Sequence, residues 1–115
     1  MAMKLLYGRG LALKTGLVTD GRFSGTNNGC FVGHISPEAA EGGPLAIVRN
    51  GDKITIDVPS RDLHLHVSGE EIERRLAAWT RPAPKYTRGY LGLYSQLAES
   101  ADKGAILRFP ANKNT

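Results

Sequence analysis

The residues best placed to do chemistry lie at positions 19–25, Thr-Asp-Gly-Arg-Phe-Ser-Gly, where a short apolar segment delivers Ser24 into a loop bracketed by Gly21 and Gly25. Positions 25–29, Gly-Thr-Asn-Asn-Gly, continue with residue types that tolerate positive φ and leave backbone amides free. Such a loop can approach a carboxylate or phosphate closely. Ser24 is therefore a candidate for proton or acyl chemistry, and an ordinary polar loop is the competing reading on spacing alone. Serine hydrolysis has little support, because no Gly-x-Ser-x-Gly elbow is present and no His and Asp partners appear in a triad order.

His34 is the second candidate, in Gly-His-Ile-Ser-Pro-Glu-Ala-Ala at positions 33–40. Ser36, Pro37 and Glu38 read as an N-cap, a proline at the first helical position and an early acid that suits the helix dipole. Gly42-Gly43 should stop that helix after a turn or two. Placed just ahead of such a helix start, His34 and the free amides could hold a substrate carboxylate. A histidine that only supports the loop by hydrogen bonding is the alternative. His64 and His66 share one face of a strand but have no third ligand or cysteine beside them, so no metal ligand is assigned in this chain.

The elements that must position these residues can be read from periodicity. Residues 3–13 form a helical or irregular lead-in broken by Gly8 and Gly10, and residues 14–19 (KTGLVT) a buried strand. Residues 44–48 and 53–58 are expected as strands joined by a hairpin turn at Asn50-Gly51. After a turn at Pro59-Ser60, residues 62–67 alternate, with Leu63, Leu65 and Val67 inward and Asp62, His64 and His66 outward. Ser68 and Glu71 form a capping box for a helix over residues 69–79, with Ile72, Leu76 and Trp79 as its apolar stripe. Residues 88–98 are expected as a last helix with Leu91, Tyr94 and Leu97 facing a core, and the tail from Arg108 onward as loose. Strands, short hairpins and peripheral helices together indicate a small mixed α/β domain around a mainly antiparallel or closed sheet.

Length and composition narrow the class. A chain of 115 residues is one domain, spanning 1–115, with enough length for a core of its own. Residues 1–80 carry nine basic and nine acidic side chains, so the net charge of +4 arises in the last third, from Arg81, Lys85, Arg88, Lys103, Arg108 and Lys113 against Glu99 and Asp102. These cations are scattered and form no run, which argues for a docking or solvated face and against nucleic-acid binding. Cys30 is the single cysteine; it excludes an internal disulfide and fits a reducing, cytoplasmic compartment. Beside Phe31 and Val32 it is expected to be a buried small apolar residue. No stretch has the length of a membrane span, so no membrane partner is expected.

TDGRFSG followed by GHISPEAAEGGPLA resembles the C-terminal segment of the dihydroxy-acid and phosphogluconate dehydratase family, closer to the dihydroxy-acid branch. The resemblance extends through Asn50-Gly51-Asp52 and the Val67-Ser68-Gly69-Glu70-Glu71 helix start to Ser100-Ala101-Asp102-Lys103-Gly104-Ala105, and so covers nearly the whole chain. One departure is visible: the family follows its Ser-Gly with a small residue and then Ser or Thr, where this chain has Thr26 and Asn27. Either the hydroxyl has moved by one position or the substrate contact differs.

The resemblance implies a swivelling β/β/α domain with a small barrel-like sheet and peripheral helices. It implies a hydro-lyase that converts a 2,3-dihydroxy acid or sugar acid into a 2-keto acid, with Ser24 as the base and Arg22, Gly25, Thr26, Asn27 and His34 contributing to the substrate pocket. It also implies an iron-sulfur cluster and Mg, whose ligands, the family's cysteines and the Glu of a Gly-x-Pro-Glu motif, are not in this sequence and belong to an N-terminal dehydratase domain. On this reading the chain looks like an excised domain or truncated reading frame, inactive alone. A stand-alone small subunit or non-catalytic binding module of the same fold is the alternative. An apolar face that normally packs on another domain would also favour homo-oligomers.

Overall fold

The computed structural model describes residues 2–25 and 28–109, and in them most elements follow from local sequence. Helix α1, Ala2–Gly8, is built from the strong helix formers Ala, Met, Lys and Leu and ends at a glycine. Strand β1, Gly16–Val18, is the centre of the expected 14–19 segment. It pairs in parallel with β2, Cys30–Val32, with Leu17 opposite Phe31. The serine loop is thus the crossover between adjacent parallel strands, so both of its ends are fixed.

Strands β3, Ile54–Asp57, and β4, Asp62–Leu65, form an antiparallel hairpin in which Ile54 faces Leu65 and Ile56 faces Leu63. The turn between them is closed by Arg61 N donating to the Val58 carbonyl at 3.2 Å and Ser60 N donating to Asp57 Oδ1 at 3.2 Å. Helix α2, Gly69–Ala77, starts where expected, with Ser68 Oγ accepting from Glu71 N at 3.3 Å, but the Glu71 carboxylate is taken by Arg74 and Arg75, so only the serine half of the capping box is made. Helix α3, Gly89–Leu97, matches the expected last helix within a residue at each end.

The architecture is small and mixed α/β, but the described strands make two separate two-stranded sheets and do not close into a barrel. Other expectations are corrected as well. Residues 44–48 are not a strand: Pro44–Ala46 is a 3₁₀ turn with Pro44 at its start, so Asn50-Gly51 turns the chain without forming a hairpin. The helix expected from Pro37 is a single 3₁₀ turn, Ala39–Glu41, because Glu38 is extended at φ −64°, ψ 157°. Cys30 is exposed rather than buried. Leu91 and Tyr94 are exposed rather than core-facing.

The core is also smaller than the chain length suggests. Among the described apolar side chains only Ala12 and Ile47 are buried. The radius of gyration is 17.0 Å, whereas a compact domain of this length has about 13 Å.

Polar side chains supply much of the long-range stitching. Arg75 on α2 makes a two-pronged contact with Asp52, Nη1 to Oδ2 at 2.6 Å and Nη2 to Oδ1 at 3.2 Å, while its Nε donates to Glu71 Oε1 at 2.7 Å. Asp52 in turn caps its own turn by accepting from Arg49 N at 2.8 Å. The helix is thereby pinned to the Asn50-Gly51 turn. Arg74 and then Arg75 hold the Glu71 carboxyl down to about 2 from an ordinary value of 4.5, and Arg75 holds Asp52 below its usual range.

A carboxyl whose pKa is depressed on folding contributes stability above its unfolded pKa, and that contribution disappears as pH falls through the folded value. The expected result is a thermal midpoint that is flat above pH 5 and falls between about pH 4.5 and 2. A Glu71→Gln variant should start lower at pH 7 and fall less steeply, as read by circular dichroism. A wild-type midpoint unchanged from pH 7 to pH 2.5 would remove these carboxylates from the account.

Candidate functional site

The serine loop is positioned from both sides. Thr19 N donates to the Val32 carbonyl at 2.9 Å and Ile35 N donates to the Thr19 carbonyl at 3.2 Å, which extends the β1–β2 pairing by hydrogen bonds past the strand ends. Gly21 N donates to Thr19 Oγ1 at 3.0 Å, and the Gly21 carbonyl accepts from His34 N at 2.9 Å. Phe23 then packs on Phe31 of β2 with ring centroids 5.8 Å apart. Anchoring Phe23 inward leaves its neighbour Ser24 exposed, and Gly25 follows at φ +85°, a conformation open to glycine and strained for other residues.

Asp20 and Glu38 hold the second motif against the first. Asp20 Oδ2 accepts from Ala39 N at 2.7 Å, at the start of the 3₁₀ turn. Glu38 accepts from Ala101 N at 2.9 Å and from Ser100 Oγ at 2.8 Å, joining residues more than 60 positions apart. The Ala101 amide and then the Ser100 hydroxyl hold the Glu38 carboxyl below its ordinary value. The three distant motifs at residues 19–25, 33–40 and 100–105 are therefore one hydrogen-bonded unit.

Ser24 and Arg22 line the same depression, of about 280 Å³, together with Thr19, Gly21 and Lys4 of α1. Ser24, Gly25 and Lys4 also border an adjoining hollow with Tyr7. His34 lies elsewhere. Its backbone is tied to Gly21, but it lines a separate apolar cavity of about 400 Å³ with Val18, Leu45, Ile54 and Leu65. His34 itself adopts φ 55°, uncommon for a residue with a side chain. Thr26 and Asn27 lie outside the described residues.

Lys4 is the residue that sequence reasoning passes over. It belongs to a helix twenty positions before the serine, and no spacing rule links a lone lysine to a distant loop. With Arg22 it brings basic side chains to the depression that holds the Ser24 hydroxyl. That charge favours an ionised oxygen or a bound carboxylate. His64 on β4 and His66 just past its end are exposed, edge to face at 4.7 Å, and Thr55 Oγ1 is 2.7 Å from His66 Nε2. Among the described residues, no three His, Cys, Asp or Glu side chains are grouped so as to hold a metal ion, and no helix is long and apolar enough to cross a membrane.

Comparison with known proteins bears on this unit directly. Residues 1–105 match the family model described as dihydroxy-acid/6-phosphogluconate dehydratase C-terminal. The dihydroxy-acid dehydratase of Methylococcus capsulatus is 59% identical over 101 residues, which is 88% of this chain and 18% of that protein. That of Acetivibrio thermocellus is 55% identical over 102 residues, 89% of this chain and 18% of that protein. Dihydroxy-acid dehydratase 2 of Acinetobacter baylyi is 50% identical over 101 residues, again 88% and 18%. The chain thus spans less than a fifth of the length of these curated relatives. A match whose span takes in the serine loop, the 3₁₀ turns and the Glu38-bound segment places this chain in the dihydroxy-acid/6-phosphogluconate dehydratase family, as a counterpart of its C-terminal region.

Proposed function

We propose that this chain is the C-terminal part of a hydro-lyase that converts a 2,3-dihydroxy acid or sugar acid to a 2-keto acid, and that it supplies the base, Ser24, and part of the substrate pocket. The observation that carries the reading is the exposed Ser24 hydroxyl in a depression shared with Arg22 and Lys4, within a chain of dehydratase descent. The names of the relatives favour a dihydroxy acid as substrate.

A serine hydroxyl is far too weakly acidic to serve as a base at neutral pH without positive charge beside it. Arg22 and Lys4 are the cations that this chain places there. As an alkoxide, Ser24 Oγ takes the C2 proton; the C2–H electron pair becomes the C2–C3 double bond as the C3 hydroxyl leaves with its bonding pair. The enol then ketonises: its hydroxyl proton joins the departed hydroxide to make water, and the proton on Ser24 returns to C3. The substrate loses one water overall. The backbone amide of Gly25 can stabilise oxygen charge formed on the way.

An iron-sulfur cluster and Mg do not fit the residues of this chain, which has one thiol, Cys30, exposed and with no grouped partners among the described residues. We assign both to the upstream part of the polypeptide, together with the rest of the substrate pocket. The swivelling β/β/α fold belongs to this reading, as does a cytoplasmic setting, which the unpaired Cys30 suits.

The test is complementation. This chain, mixed with the upstream region of the Methylococcus capsulatus relative, reconstituted with iron, sulfide and Mg, should form 2-keto acid from a dihydroxy acid, whereas neither part alone should turn over. Absence of turnover when both parts are folded and bound to each other would overturn the assignment.

A further inference from the structure

We propose that the Tyr90, Leu93 and Tyr94 face of α3 is a docking surface for the upstream portion of a dehydratase polypeptide; the identity of that partner rests on the reading above. The reason is that α3 is built inside out. Its buried residue is Gly92, which lies so near the backbone of Thr87 that a Cβ there would come 2.8 Å from the Thr87 carbonyl carbon. Its large side chains point the other way: Tyr90 is 70% exposed, Leu91 54% and Leu93 50%. From Gly89 to Leu97 the helix carries no charge at all, in contrast to α2 with five charged residues. A helix turned to water normally places its polar residues outward. One that seats its glycine and presents tyrosine and leucine is made to be covered.

The helix is also held in place to receive a partner. Arg108 N donates to the Leu97 carbonyl at 2.9 Å, Ala98 bridges to Leu107, and Glu38 fastens the next residues, Ser100 and Ala101. Ile106 and Leu107, at that bridge, prolong the exposed apolar surface. Lys85 and Arg88, just before α3, supply a basic rim. The complementary partner surface is therefore an apolar patch with carboxylates at its margin.

The occupant follows from size. This chain corresponds to 18% of relatives that carry both parts in one polypeptide, so in them roughly four-fifths of the molecule is tethered beside this region at high effective concentration. With two buried apolar side chains of its own among the described residues, this region leaves apolar surface that such a neighbour would cover.

The experiment titrates this chain with the separately expressed upstream region of the Methylococcus capsulatus enzyme and reads affinity together with amide exchange. Binding should slow exchange along α3 in the unmodified chain, a readout that needs no variant. Tyr90→Ala and Leu93→Glu should each weaken binding by at least about tenfold, while Leu13→Glu and Val58→Glu, more exposed but elsewhere, should change it by less than about twofold. Unprotected α3 amides, α3 variants that bind like the parent, or control variants that weaken binding equally would overturn the proposal. So would self-association that is lost in the α3 variants and that the upstream region does not compete away, since the occupant would then be a second copy. Binding through α3 without turnover would support this surface and sink the dehydratase reading. Turnover with unaltered affinity in the α3 variants would do the reverse.

Discussion

Ser24→Ala should lower the turnover of the reconstituted dehydratase by at least about 100-fold, the lower end of what a positioned general base contributes. The substitution deletes one exposed oxygen and leaves the loop intact, because its shape depends on groups other than the Ser24 side chain. Thr19 and Val32 fix one end, Gly21 and His34 the middle, and the Phe23 ring packs on Phe31. Substrate affinity should therefore stay within a few-fold of the parent, and the loss should appear in kcat. That split separates a base from a residue that merely binds, since removing a binding contact equal in ground and transition states raises KM and spares kcat. Full activity in Ser24→Ala would move the base to another residue.

The fold was legible where the signal is local and illegible where partners are distant. Ser68 and Glu71 announce the start of α2 because a cap acts over three residues, and the structure has that bond. The β3–β4 hairpin shows in alternation around Pro59-Ser60, again a local pattern. β2 is three residues long and illegible in the sequence, since Cys-Phe-Val carries no periodicity until it is laid beside β1. Residues 44–48 look like a strand by composition, yet Pro44 directly after Gly43 begins a 3₁₀ turn instead.

The helix expected at Ser36-Pro37 failed for a reason that matters to the site. A serine, a proline and an acid form a plausible helix start, but here the acid is taken by another part of the chain: Glu38 is extended and accepts from Ser100 and Ala101. The cap at Ala39 comes from Asp20, nineteen residues earlier, in the serine motif. Which residues make up the motifs could be read from sequence, but the bonds that make them one unit could not. The same holds for Lys4, whose nearness to Ser24 depends on where α1 sits. The spacing of Leu91 and Tyr94 points to a core, yet both are exposed, because spacing marks an apolar face without information on what covers it.

Gly43→Ala should unfold the junction on which the site depends. Gly43 is buried between the two 3₁₀ turns, and a Cβ built on it would overlap the carbonyl oxygen of Pro37 and come within 3.0 Å of that of Glu38. Both obstacles are backbone, so no side-chain rotation relieves them. Gly43 N already donates to the Glu38 carbonyl at 3.0 Å, which fixes the approach. The φ of Gly43 is −66°, so the glycine is required here for closeness rather than for conformational freedom. Overpacking of this kind costs about 1–3 kcal/mol when neighbours can adjust and more when they cannot. Moving Glu38 away would also pull its carboxylate off Ser100 and Ala101. A loss of about 3 kcal/mol or more is expected, enough in a chain with so little core to abolish a cooperative melting transition. Gly8→Ala provides the contrast, since nothing lies within 4 Å of a Cβ there and the residue ends a helix; it should be neutral or stabilising by up to about 1 kcal/mol. Thermal melts of the two variants beside the parent read the difference. If Gly43→Ala melted like the parent, the close packing of the two 3₁₀ turns, and with it the Glu38 link between the motifs, would be wrong.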